Sequence, residues 1–158
     1  MKTRLVGTAA ALGALLGCGI FDSGADPGNY NFELREEAPP DTFPGSMSIT
    51  LIVTTEVQSP CLTHALQGQA GFGDDRIIVS LNRVALPSDV CIPSDGPAEF
   101  RTPIAFGPAT VNHPFYLTFA TGSRMDQYLV IISESAIDIS PLHATFTHAL
   151  ARRIPRGG

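Results

Sequence analysis

The side chains able to do chemistry are few and widely spaced. They are three cysteines (Cys18, Cys61 and Cys91), four histidines (His64, His113, His143 and His148), the thioethers of Met47 and Met125, and the carboxylate pairs Asp74-Asp75 and Glu134/Asp138. His143 and His148 are five positions apart. On a helix they would point about 140° apart, and on a strand they would lie on opposite faces. Neither arrangement makes a ready metal pair, so isolated surface or hydrogen-bonded histidines are expected and no metal site is assigned. Asp74-Asp75 follows two glycines and could offer carboxylates to calcium, but turn chemistry asks for the same residues. Glu134 and Asp138 would need to face each other across a cleft to act as a glycosidase pair. No Gly-x-Ser-x-Gly is present, and Gly71-Phe72-Gly73 lacks the lysine and helix of a phosphate loop. The expectation is a chain without catalytic residues or cofactor.

Composition narrows the class further. Of 158 residues 44% are hydrophobic and only 16% charged, which excludes a disordered acidic tail, a coiled coil and a lysine/glutamate-rich bundle. A net charge of −5 argues against a nucleic-acid partner, which requires a basic stripe facing phosphates.

The first eighteen residues carry the clearest signal. Met1-Lys2-Thr3-Arg4 is basic, and Leu5 to Gly17 is an uncharged apolar run that ends at Cys18. A run of this length is too short to cross a bilayer, which takes about 20 helical residues, and has the layout of an export signal. Leu15-Leu16-Gly17-Cys18 resembles the lipobox of bacterial lipoproteins. That resemblance implies cleavage after residue 17, a diacylglyceryl thioether on Cys18 and stable attachment to a membrane, since two or more acyl chains hold where one does not. Gly19, in place of an aspartate, leans the family's sorting rule towards the outer membrane. An ordinary secretory signal with an incidental Cys18 is the alternative.

Cleavage would remove Lys2 and Arg4, leaving eight arginines, no lysine and 15 acidic residues. Residues 18–46 are acidic and rich in Pro and Gly, and read as a disordered tether that would reach roughly 30 Å as a flexible chain. In an oxidising compartment Cys61 and Cys91 are most simply a disulfide, closing a loop worth roughly 3–4 kcal/mol in the chain-entropy model.

Residues 47–154 read as the folded domain and 155–158 as a tail. Met47, Ile49, Leu51 and Val53 alternate with polar residues, as in a strand with one buried face. Residues 61–70 and 76–86 flank a turn-rich link and suggest a hairpin. Glu99–Phe106 reads as an edge strand because Pro103 lacks a ladder donor. Tyr128–Ile132 is apolar at every position and is expected centrally, buried on both faces. The segment 141–152 fits either a helix, with Leu142, Phe146 and Leu150 in register, or a strand that buries the same residues; the strand is preferred because Thr-Phe-Thr favours it. The sum is an all-β domain, an antiparallel β-sandwich of about seven strands similar in architecture to immunoglobulin-like domains. A small β-barrel is the alternative. The expected function is a membrane-anchored, non-enzymatic binding or structural module of a bacterial envelope, with another envelope protein as partner and no small-molecule ligand identified. A periplasmic metal-binding protein and an unrecognised hydrolase are the competing classes.

Overall fold

The computed structural model describes residues 28–37, 48–61, 64–85, 91–105 and 112–156. Ten strands follow one another: β1 (Tyr30–Glu37), β2 (Ser48–Cys61), β3 (Ala65–Phe72), β4 (Arg76–Ala85), β5 (Pro93–Ala105), β6 (Pro114–Thr121), β7 (Arg124–Ile132), β8 (Ala136–His143), β9 (Thr147–Ala149) and β10 (Arg153–Pro155). There is no helix among the described residues. The strands form one curled sheet in the order β10-β8-β7-β6-β4-β3-β5-β2-β1-β9. Pairing is mixed: β1/β9, β3/β5 and β4/β6 run parallel and the other neighbours antiparallel. Strand count and mixed pairing therefore exceed the seven antiparallel strands expected.

The period-2 pattern accounts for the curl. Tyr30, Phe32 and Leu34 of β1, Ile49, Leu51 and Val53 of β2, Ile77, Val79 and Leu81 of β4, and Tyr128, Val130 and Ile132 of β7 all point into a single core. Phe32 carries the contact between the two halves of the sheet. Its ring centroid lies 4.7 Å from that of Phe119 on β6 and 4.8 Å from that of Tyr128 on β7. Only one ladder pair, Ala65 with Glu99, joins β3 to β5, so the sheet folds over at this seam. Phe100 covers the seam from inside, and a Cβ on Gly68 would meet its ring at 3.2 Å.

Local chemistry sets the irregular points. The β6–β7 hairpin turns on Gly122-Ser123, with Thr121 opposite Arg124, and Gly122 supplies the required positive φ of 54°. The ladder between β2 and β5 shifts between Thr54 and Gln58. There the Thr55 hydroxyl replaces the missing ladder partners: it donates to the Val57 carbonyl at 2.7 Å and accepts from the Ala98 amide at 3.0 Å.

Four expectations change. Residues 30–37, assigned above to the tether, form β1; the acidic and basic side chains that hid the strand, Glu33 and Arg35, occupy its outward positions between three buried apolar ones. The domain thus begins before residue 47. It also ends later than expected, because Arg153–Pro155 pairs with β8 and Arg156 is only 7% exposed, its backbone amide donating to the Ser135 carbonyl. In 127–133 only the Tyr128, Val130 and Ile132 face is buried, while Ile131 is exposed. The segment 141–152 is extended, as preferred, but it does not bury one continuous face. Leu142 and Leu150 are exposed, and Phe146 is buried from the link between β8 and β9. Glu99–Ala105 is not an edge strand as expected: it belongs to β5, which lies between β3 and β2 in the sheet, and Pro103 is tolerated because beyond Glu99 its ladder partner among the described residues is β2 alone; the 65–72/76–85 hairpin is present.

Because Phe32 holds β1 to both β6 and β7, Phe32→Ala is expected to cost about 3–5 kcal/mol in urea unfolding. The neighbouring Arg35→Ala, whose ion pair with Glu33 is exposed, should change stability by less than about 1 kcal/mol. Equal, small effects would contradict a structural role for β1.

Candidate functional site

The densest polar constellation surrounds Asp126, a residue that the sequence presents only as the end of a turn. Asp126 lies on the inward side of β7 and is fully buried. Five donors converge on it. The Thr145 amide and hydroxyl each donate to Oδ1 at 2.8 Å, while the Phe146 amide, the Thr147 amide and the Thr147 hydroxyl donate to Oδ2 at 2.8, 2.7 and 2.8 Å. Three successive amides of the β8–β9 link thus make a nest for the carboxylate. Burial works against its charge, but the hydrogen bonds from Phe146, Thr145 and Thr147 outweigh it and hold the carboxyl below its ordinary range. Asp126 is therefore favoured as the anion, with both carboxylate oxygens occupied by donors. It anchors the loop between β8 and β9.

The anchored loop separates two depressions. One, of about 560 Å³, is open and mostly apolar, and is lined by Ser123, Arg124, Met125, Gln127, His143 and Thr145. The other, of about 380 Å³, is more polar and includes Tyr128, Leu142, Thr147, His148 and Arg152. The Arg124 guanidinium lies 4.7 Å from the Phe146 ring centroid and donates to the Gly28 carbonyl at 2.9 Å. Between them the depressions present a guanidinium, imidazoles, hydroxyls and a thioether. These groups can hold a ligand by hydrogen bonding, cation–π contact and apolar packing. Burial raises the pKa of Tyr128, whose hydroxyl donates to the Thr147 carbonyl.

Of the residues singled out from sequence, Cys18 and Met47 lie outside the described residues. Cys61 and Cys91 meet at the end of β2, with sulfurs at bonding distance and Cα atoms 5.2 Å apart. His143 and His148 line different depressions, and His148 approaches Glu56 at 3.8 Å. His64 contacts the buried Ser59 hydroxyl through Nδ1, a pair that sequence reasoning did not single out because its partners come from β2 and the turn after it. Asp75 pairs with Arg76, and Asp138 with Arg153. No group of three or more His, Cys, Asp or Glu side chains converges as a metal site among the described residues. The donors to Asp126 lie 19 to 21 positions away and three of them are backbone amides, so no local pattern in the sequence points to the nest.

Comparison with family models, with curated proteins and with solved structures returns no match.

Asp126→Asn puts an amide group in place of one carboxylate oxygen, against donors that need an acceptor. It is expected to destabilise the fold by about 2–4 kcal/mol at neutral pH. The carboxyl's pKa is lowered on folding, so its contribution is fully present above the unfolded value near 4 and is lost as pH falls through the folded value. The difference in urea stability between the two proteins should therefore shrink as the pH is taken from neutrality to below the ordinary carboxylate range. A gap independent of pH would mean that the charge is not what holds the loop.

Proposed function

We propose that this chain is an envelope lipoprotein, anchored through Cys18, whose domain is a non-enzymatic binding module. The observation that carries the reading is the meeting of Cys61 and Cys91. A disulfide that closes a domain forms and persists in an oxidising compartment, which supports the export signal read from Met1 to Cys18. The position of β1 supports anchoring close to the bilayer. Tyr30 begins the first strand twelve residues after Cys18, and twelve residues span at most about 40 Å even when fully extended. The domain is then held near lipid, with the start of β1 and the adjoining Arg124 side of the open depression nearest the anchor.

The two facing halves of the curled sheet, joined by one ladder pair and filled by Phe32, Phe119 and Tyr128, support an immunoglobulin-like sandwich as the finer description of the architecture. In such folds the loops at the ends of the sandwich do the binding. Here the loop pinned by Asp126 fills that role, with a rigid scaffold behind it and a depression on either side. Outer-membrane attachment and a protein partner in the envelope complete the proposal.

Intact mass of the protein extracted from membranes of the expressing bacterium tests the anchor and the bridge together. The expected species starts at Cys18, carries the added mass of the acyl chains and gains the mass of two hydrogens on reduction. A chain without lipid, or one that keeps residues 1–17, would overturn the anchoring. An unchanged mass on reduction would remove its oxidising-compartment support.

A further inference from the structure

The described part of the sheet has four flanks, and three of them are blunted against further pairing. β9 and β10 have three residues each, and β5 beyond the seam carries Pro103 and the ion-paired Arg101. Short edges, proline and charge are the devices that stop strand addition. β3 is longer and carries neither proline nor charge; its one irregularity is a register shift against β4 at Gln67, at the seam end of the strand. It pairs with β4 along its length but meets β5 only at Ala65, so Gln67–Phe72 presents one side of its main chain with no ladder partner among the described residues. The strand, Ala-Leu-Gln-Gly-Gln-Ala-Gly-Phe, is eight residues long and contains neither charge nor proline. Phe100 closes its inner side at Gly68, so approach is from the edge.

We propose that this edge of β3, without a ladder partner among the described residues, pairs antiparallel with β3 of a second copy of this chain, making a two-fold dimer. An unpaired row of amides and carbonyls is satisfied by another strand, not by lipid or a small molecule, and the composition of this strand favours its own copy. With the two-fold axis at Gln69, Gln67 faces Gly71 of the second copy, Gly68 faces Ala70 and Gln69 faces itself. Within 67–71 each glutamine then meets a glycine or its own amide, Phe72 comes opposite the apolar Leu66, and no like charges oppose each other. Gln67 and Gln69 are exposed, so their amides are free to hydrogen-bond across the new ladder. Pairing would continue the sheet from β4 through β3 into the second copy.

Sedimentation equilibrium of the full chain, carried out in detergent when Cys18 is lipidated, is expected to show a reversible monomer–dimer equilibrium. The double variant Q67K/Q69K sets lysines against each other across the axis and should raise the dissociation constant roughly tenfold or more, with thermal unfolding unchanged. Q69C, at the axis, should form a reducible dimer on mild oxidation far more readily than the wild-type chain or E134C, which lies in the turn before β8. That comparison decides the matter even where the lysine variant fails to fold. A single monomeric mass at every loading, or crosslinking of Q69C no greater than that of E134C, would overturn the proposal.

Discussion

One buried carboxylate ties the two ends of the sheet together. Asp126 sits in β7, near one edge, while the residues that donate to it lead directly into β9, the opposite edge. From the same link the Phe146 carbonyl accepts from the Tyr30 amide, and just after β9 the Leu150 amide donates to the Phe32 carbonyl, so the nest braces the outer edge of β1, whose other edge is laddered to β2. Phe32 in turn fills the centre of the core. The sequence of dependence runs from charge, to loop, to edge strand, to core. An unpaired buried charge would be costly; with five donors it becomes a rivet, because every donor it satisfies is one the link could not leave dry.

The two outer faces of the sheet solve the same problem differently. On the β1/β2/β5 side Ile52 points outward yet is only 3% exposed, with Glu33 and Arg101 as its cross-strand neighbours. The stems of the charged residues cover it while their heads pair: Arg35 with Glu33, and Arg101 with Glu99 and with Glu37, which also accepts from the Thr50 hydroxyl at 2.8 Å. Arg101 is held still further towards its protonated form, first by its hydrogen bond to Glu99 and then by the charges of Glu99 and Glu37. On the β4/β6/β7 side Ile78, Tyr116 and Ile131 stay exposed, with no such lattice over them among the described residues. The first face is finished by its own side chains, and the second keeps its apolar atoms in contact with solvent.

Sequence patterning was most informative where one strand's pattern could be read alone. The core-facing Ile49, Leu51 and Val53 of β2, the β3–β4 hairpin and the pairing of Cys61 with Cys91 follow from local periodicity, turn residues or cysteine arithmetic, whereas the burial of Thr50 and Ile52 on the other face of β2 and the interior place of β5 in the sheet do not. β1 was hidden because Tyr30, Phe32 and Leu34 alternate within an acidic stretch flanked by Pro and Gly, so composition outweighed period. β10 was missed because arginines at a chain end look solvated, whereas Ile154 packs on the core and the Arg156 guanidinium tucks against the Ser133 carbonyl and Glu36. The Asp126 nest was the least legible. Its donors lie 19 to 21 positions away, and nothing local distinguishes a turn aspartate from a buried one.

The adjacency of β1 and β9 has a kinetic side. β1, early in the sequence, must wait for β9, almost the last strand, before its outer edge is paired, and much of the sheet is stitched by contacts distant in sequence. Contact order of this kind slows folding and leaves apolar strands exposed in the interval. Two features shorten that wait. The β6–β7 hairpin and the β7–β8 pair can assemble locally, presenting Asp126 before the nest residues arrive, and the Cys61–Cys91 bond fixes β2 against β5 ahead of closure. Seating Thr145-Phe146-Thr147 on the carboxylate brings β9 to the outer edge of β1, so a segment late in the sequence closes over the earliest strand.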